Sequence, residues 1–289
     1  MKPSTRAGLL FISPWLVGFC VFTLFPFAAS FYYSFCWYDG LKPPQWIGLE
    51  NYHRLLFEEP LFWKSVWNTL YYAFFAVPLG IVFGVGIALL LNMNVRGIAI
   101  YRTIFFLPSI VPAVASSVLW MWLLNPQFGV INTLLRLIGI SGPGWIASPG
   151  WSKPSLVLMA LWGVGGTMVI YLAGLQDIPQ SLYEAAELDG ANAWRRTVHI
   201  TLPVLTPVIF FNVVMGLIGA FQYFTQAFVM THGGPVDSTL FYNLYLFNEA
   251  FAYLDFGYAS ALAWVLFLLV SVLTLILFKT QGRWVHYAD

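Results

Sequence analysis

Charge is what this chain has least of. Aspartate, glutamate, lysine and arginine supply 9 % of its 289 residues, while 60 % are hydrophobic. A soluble domain carries roughly 25 % charged residues, so this chain cannot clothe a water-facing surface, and a polytopic membrane protein is expected. A net charge of +1 gives no sign of a nucleic-acid partner. Cysteine is nearly missing as well. Cys20 and Cys36 stand on one apolar run, about 24 Å apart if that run is helical, which is far beyond disulfide reach.

Catalytic and nucleotide-binding patterns are also wanting. No G-x-x-x-x-G-K-[ST] run occurs, so no P-loop is expected. The glycines of GVGGT, Gly163 to Thr167, lack a lysine and read as packing. His53, His199, His232 and His286 are scattered without ligand spacing, so no metal site is supported. No Ser-His-Asp or Cys-His arrangement stands out, and no acid or base falls inside the apolar runs. The chain is therefore read as no enzyme and as binding no cofactor itself. Proton- and ion-coupled carriers usually keep an ionisable residue at membrane depth. Its absence argues against a secondary carrier, although carbonyls and hydroxyls can hold Na⁺. Ion coupling stays open as one alternative and a non-transporting scaffold or receptor as another. Uphill transport by this chain would draw its energy from another polypeptide.

What is present is length without charge. Six stretches lack Asp, Glu, Lys and Arg and can cross about 30 Å of hydrocarbon: approximately 8–36, 67–92, 104–125, 155–176, 204–231 and 256–278. Lacking water partners, each must be helical, giving an all-α fold of six transmembrane helices and one membrane domain over residues 1–289. The basic start resembles a signal peptide, but the uncharged run to Cys36 is too long for one, and a first span is expected. Lys2, Arg6, Arg96, Arg102, Arg195, Arg196, Lys279 and Arg283 fall on one side, against Lys42, Arg54, Lys64, Arg136 and Lys153 on the other. The bias places both termini in the cytoplasm.

The outer connectors read as structured caps. WIGLENYHRLLFEEPLFWKSVWNT mixes aromatics with charge, as an amphipathic interfacial helix would. NPQFGVINTLLRLIGISGPGWIASP places turn signals around a short helix, and a Gly-Gly-Pro turn follows the fifth span. Within the spans, helical periodicity sets Asn212, Gly216, Gly219, Tyr223 and Gln226 on one line, with Met159, Gly163, Gly166 and Thr167 as a quieter counterpart. Amides and an aromatic face suit a neutral polyol, so these residues are candidates for a solute pathway. Helix packing is the competing reading, and it is the one adopted for Gly80-x-x-x-Gly84.

The densest charge lies in one connector, EAAELDGANAWRRTVHITLP, Glu184 to Pro203, between the fourth and fifth spans. Ser181-x-x-Glu184 predicts a capping box, Gly190 a left-handed stop, and Asn192 the cap of a second short helix. Pro203 and Pro207 would then open the fifth span. Ala185 and Ala186 allow close approach of a partner, and Leu188 and Trp194 stand beside them as anchors.

Glu184-Ala185-Ala186, three residues, Gly190, nine residues, Ile200-x-Leu202-Pro203 resembles the EAA signature of permease subunits of bacterial ABC importers. WIGLENYHRLL, RTIFFLPSIVPAVASSVLWMWLLN and PQFGVINTLL are similar to the sugar branch, the maltose-type permeases, so the resemblance runs from Trp46 to the C-terminus. It implies an inner-membrane permease for a sugar or oligosaccharide, with a glycerol-phosphate-type importer as the alternative. It further implies a related second permease as heterodimer partner, two copies of an ATPase subunit carrying ATP and Mg, and an extracytoplasmic binding protein that delivers solute. The connector would be the coupling helix. Glu184 would anchor its rim, Gly190 would supply the bend, and Asp189, Arg195 and Arg196 would orient it. The large first outer loop of some maltose-type relatives is missing here, which leaves the surface that receives the binding protein unassigned.

Overall fold

The computed structural model describes residues 3–286, with side chains from Phe11 onward, and 75 % of the chain is helical. Helix α1 (Pro3–Phe19) widens into a π-helical turn at Cys20–Leu24 and continues as α2 (Phe25–Tyr33). Strands β1 (Cys36–Trp37) and β2 (Gln45–Trp46) pair antiparallel, and α3 (Glu50–His53) leads through a second π turn, Arg54–Glu58, to α4 (Pro60–Leu91). Next come α5 (Ile98–Phe106), α6 (Ala113–Leu123), α7 (Val130–Leu137), α8 (Pro149–Trp162) and α9 (Gly165–Gln176). The connector holds α10 (Gln180–Leu188) and α11 (Ala193–Arg196). The chain continues through α12 (Leu202–Phe221), α13 (Thr225–Met230), α14 (Tyr242–Phe247) and α15 (Phe256–Thr280).

Among the described residues, four helices are long and apolar enough to cross a membrane: Phe11–Tyr33, Pro60–Leu91, Ala193–Met230 and Phe256–Arg283. Two more candidates are broken. Ile98–Ile110 meets Ala113–Leu123 at 98°, and Pro149–Trp162 meets Gly165–Gln176 at 48°. The expected straight helix over 104–125 is thus corrected to a sharply bent pair. Pro112 has no N–H to donate and pushes Val111 to an extended conformation, φ −72° and ψ 128°. In the fourth span, Gly163 and Val164 leave the helical register at a glycine-rich stretch where helix propensity is poor. Helices reach beyond the charge-free runs, so Lys64 and Lys153 lie near the starts of α4 and α8 and Arg102 at the middle of α5.

The expected second short helix of the connector is corrected too. From Ala193 the chain runs into the fifth span without a stop, through a π turn at Thr197–Thr201. Pro203 explains the widened turn: its ring would collide with the carbonyl four residues back in an ordinary α-helix. Cys20–Leu24 stands in the same relation to Pro26.

The chain divides into two compact units. One comprises residues up to Trp63 together with Tyr245–Leu268. In it the expected interfacial stretch opens on β2 and is helical over Glu50–His53 and Arg54–Glu58, as part of a folded cap that begins with the β1–β2 hairpin. The Asp39 carboxylate accepts from the N–H groups of Leu41 and Lys42 at 3.0 and 2.9 Å, and the Lys42 bond, then the Leu41 bond, hold its pKa below the usual value. Gly40, at φ +79°, lies so close to the Phe256 ring that a Cβ would crowd it. The Asn51 amide donates to the carbonyls of Ser34 and Cys36, tying α3 to the hairpin. Arg54 bonds Asp255 at 2.9 Å and rests 4.1 Å over the Tyr258 ring, with Glu59 and Glu249 within 4 Å. Polar pairing therefore joins apolar packing in this cap, where Leu55 is fully buried and the Phe35 and Trp46 rings stack.

The other unit comprises Lys64–Leu244 and residues from Leu269. Its packed centre joins α4, α9 and α12 through Ala88, Met168, Tyr171, Leu175 and Leu205. Hydrocarbon is as apolar as leucine, so such helices associate by close packing and small residues. Gly84 meets the Tyr171 ring, as expected of packing, and Gly174 meets Leu205 and Val208. The 231–241 segment is strapped down: Asn68 donates to the carbonyls of Asp237 and Leu240, Lys153 donates to Asn68, and Ser152 pairs with Ser238. Asn132 closes the loop around α7 by bonding Pro126, Pro143 and Trp145.

Candidate functional site

The connector is built almost wholly from neighbours in sequence. Helix α10 begins after Pro179, two residues earlier than a Ser181 cap requires, and no side chain caps it. The expected capping box is therefore absent: Pro179, extended at ψ 128°, sets the boundary and leaves Ser181 inside the first turn. The other end follows expectation. Gly190 is left-handed at φ +76°, its N–H donates to Glu187 at 3.0 Å, and the Ala191 N–H reaches Ala186 at 2.8 Å. Those two bonds form a Schellman motif. Asn192 then accepts from the Arg195 N–H at 2.9 Å, capping the next helix as expected.

Glu184, Ala185, Asp189, Gly190 and Arg195 are exposed on this knob, and Ala186 is half-buried. Leu188 is 91 % exposed and Trp194 74 %. Arg196 behaves differently from Arg195. It forms an ion pair with Glu187, which bridges α10 to α11. It also lines a cavity of about 520 Å³ with Asn92, Asn94, Tyr183, Thr197 and Thr201. Glu187 is the connector residue that sequence reasoning missed. Its nine-residue separation from Arg196 is legible only once the Gly190 turn folds the two helices together.

A second constellation lies among the spans of the same unit. The one-line stripe of the fifth span is corrected, because the helix unwinds at 222–224 between α12 and α13. A continuous helical wheel through Tyr223 and Gln226 therefore does not exist. The break nevertheless brings both residues to adjoining cavities. The first, about 240 Å³, is lined by Asn212, Gly216, Gly219 and Tyr223 with Gly163 and Thr167. The second, about 230 Å³, is lined by Tyr223, Gln226, Met159 and Gly163. Tyr72, Ala160, Gly163 and Tyr223 border both. Gly166 lines neither; the nearest atom to a Cβ there would be on Ser109.

Tyr72, Phe241 and Gly165, which the sequence did not single out, complete this region. Tyr72, Tyr223 and Phe241 form a ring cluster, with centroids 4.2, 5.3 and 5.5 Å apart. Gly165, next to the candidate Gly163 and Gly166, is the glycine that the packing demands, since a Cβ there would overlap the Phe105 carbonyl oxygen. Gly80, assigned above to packing, instead borders the first cavity with open space beside it. Asn212 is nearly buried and donates to the Val208 carbonyl of its own helix at 2.9 Å. Among the described residues, no group of three or more His, Cys, Asp or Glu could hold a metal ion.

A family model described as "binding-protein-dependent transport system inner membrane component" matches residues 76–286, which contain the whole connector and nearly all of the cavity lining. The chain belongs to this family. The permease is 47 % identical over 291 residues to the probable ABC transporter permease protein YesP of Bacillus subtilis, covering 99 % of this chain and 94 % of that one. It is 35 % identical over 278 residues to the lactose transport system permease protein LacF of Rhizobium radiobacter, covering 94 % and 92 %. A chain from the crystal structure of a bacterial alginate ABC transporter, in complex with alginate pentasaccharide-bound periplasmic protein, is alike in fold at a TM-score of 0.84. That likeness spans 98 % of this permease and 96 % of that chain, at 23 % identity. The permease is thus an inner membrane component of a binding-protein-dependent transport system, in the ABC transporter class.

Proposed function

We propose that this permease passes a sugar or oligosaccharide, received from an extracytoplasmic binding protein, through a pathway that includes the paired cavities. The observation that carries the coupling half of this reading is the connector's knob. It is stiffened from within by the Schellman turn, the Asn192 cap and the Glu187–Arg196 pair, and yet it holds Leu188 and Trp194 out in solvent. A stiff projection with an apolar tip suits a partner's cleft, and a buried aromatic anchor commonly dominates such contacts. The partner in this reading is a separate ATPase subunit, present in two copies and carrying ATP and Mg. A second, related permease completes the membrane body, of which residues 1–289 form one domain. Both termini and the connector face the cytoplasm, following the Lys and Arg bias.

In this arrangement Glu184, Ala185, Ala186, Asp189, Gly190 and Arg195 form the outer contact surface, while Arg196 holds the knob in shape. The solute half rests on Asn212, Tyr223, Gln226 and Met159 around Gly163, Gly216 and Gly219. A lactose-transport relative at 35 % identity supports a carbohydrate. The test is Glu184→Lys, assayed for solute uptake and for ATPase co-purification in the assembled transporter. Loss of uptake with the membrane subunits still assembled is expected, and unimpaired uptake would remove the coupling role. Tyr223→Ala and Gln226→Ala should lower uptake by roughly tenfold each, on the scale of one lost hydrogen bond in a dry site, without loss of assembly. Unchanged uptake in both would return that face to packing.

A further inference from the structure

Two lysines stand above the paired cavities, at the end of their unit opposite the connector. Lys64 lies near the start of α4, whose far end borders the Arg196 cavity through Leu89. Lys153 lies near the start of α8, and the span that it opens leads to the connector. Asn68 and Tyr72 follow Lys64 at intervals of one turn, and Tyr72 borders both cavities. Ala160 borders both as well. It comes two turns after Lys153, within about 20° of it around the helix and roughly 10 Å further along.

The two ammonium groups differ in what holds them. Lys64 reaches the Asp237 carboxylate at 3.3 Å. Lys153 is half-buried and has no carboxylate within 4 Å among the described residues. It donates to the Asn68 side-chain oxygen at 3.0 Å, and its nitrogen stands 5.3 Å from the centre of the Tyr71 ring. The Asn68 amide in turn donates to the carbonyls of Asp237 and Leu240, so one side chain joins Lys153 to the 231–241 segment that Lys64 also holds. The charge that bears on Lys153 is that of Lys64, of its own sign. One positive charge is left unmatched.

An amide and a ring ease the burial of an ammonium without cancelling its charge, and an unmatched charge is costly in a chain this apolar. The cavities below supply no countercharge, because no Asp, Glu, Lys or Arg borders either one. Lys153 has three donors and Asn68 takes one. A neutral hydroxyl arriving at this rim gains an ordinary hydrogen bond. A carboxylate, sulfonate or phosphate oxygen gains one about twice as strong and brings the missing charge.

We propose that Lys153, braced by Lys64 and Asn68, makes the rim of the pathway selective for charge, and that the sugar passed by this permease carries an acid group. This rests on the pathway reading given above, and one experiment separates the two. The assembled transporter, in bilayer discs of phosphatidylcholine, carries Cys20→Ala to remove the exposed native thiol; Cys36 is wholly buried and stays. Ala160→Cys then reports from the cavity wall. Its labelling rate is read by mass on this chain, with a methanethiosulfonate bearing a sulfonate and with one bearing a trimethylammonium. The sulfonate is the acid group under test, and only a hydrated thiol ionises and reacts. Adding Lys153→Gln should lower the ratio of anionic to cationic rates on the order of tenfold, and Lys153→Arg should preserve it. Loosening of the 231–241 segment would change both rates together and leave their ratio alone. An unchanged ratio in Lys153→Gln, with the thiol reactive, would overturn the charged rim and leave the pathway standing. A thiol inert to both reagents would overturn both. The effect of Lys153→Gln should persist in discs containing phosphatidylglycerol; its loss there would give the lysine to a lipid headgroup and overturn the solute assignment. Co-purification of the other subunits with each variant guards against misfolding.

Discussion

The connector and the cavity are both polar interruptions in an apolar chain, and they are made in opposite ways. The connector closes on itself over a few residues: Ala186 to Ala191 form its stop, Asn192 to Arg195 its next start, and Glu187 to Arg196 its brace. The cavity is assembled from residues as far apart as Tyr72 and Gln226. It exists because three helices break where they meet. A local device is stiff by itself and can transmit a push, whereas a cavity bounded by broken helices changes when those helices shift.

If that contrast holds, damage at the knob's tip should act through the partner alone. Trp194→Ala has the largest expected effect, about 2–4 kcal/mol of binding to the ATPase if the indole is a hot spot. The measurement is ATPase retention on the purified transporter, with an unchanged melting temperature for the membrane body. A fall in melting temperature of the free permease would mean that the indole packs within the chain. Gly165→Ala probes the other region. Its Cβ collides with backbone, and overpacking of that kind costs about 1–3 kcal/mol, read as a lower melting temperature and weaker assembly. The same substitution at Gly166, where the nearest atom lies 3.9 Å from the added carbon, should be close to neutral.

The smallest effect concerns the folded cap of residues 36–58 and 245–258, where Asn51 and Glu249 are buried. Burial raises the Glu249 pKa, Arg54 pulls it down, and Asp255 and Glu59 push it up, so the net direction is upward. Burial pulls Arg54 down, but Asp255 outweighs it and keeps the guanidinium charged. Between the ordinary carboxylate value and the raised one, the folded cap retains a proton that the unfolded chain has released. Stability is therefore fullest below that window and declines as pH rises through it. Glu249→Gln should flatten the decline, as followed by tryptophan fluorescence on heating at a series of pH values. An identical pH profile in the variant would assign the dependence to other groups.

The misreadings have separate causes. Ser181 was expected to cap α10, but the boundary was set by the backbone preference around Pro179, which outranks a side-chain hydrogen bond. The stripe through Asn212, Tyr223 and Gln226 assumed that a span is one helix. Pro108 and Pro112 carried a visible sign of a bend in the third span, and nothing comparable marks the break at 222–224. Gly165 was hidden among three glycines in GVGGT, because which of them meets another backbone depends on a neighbour some sixty residues away.

The amino-acid sequence by itself determined that this chain lives in a membrane, that its charged knob falls between the fourth and fifth spans, and that Gly190 and Asn192 shape that knob. Hydrophobic runs, turn residues and caps act over a few positions and need no tertiary partner. Tertiary structure alone decided which glycines pack, which helices break, and that Ser109, Ser116, Tyr72 and Gln226 share one cavity. Those outcomes follow from where helices touch, and in hydrocarbon that is governed by close packing of surfaces that look alike along the chain.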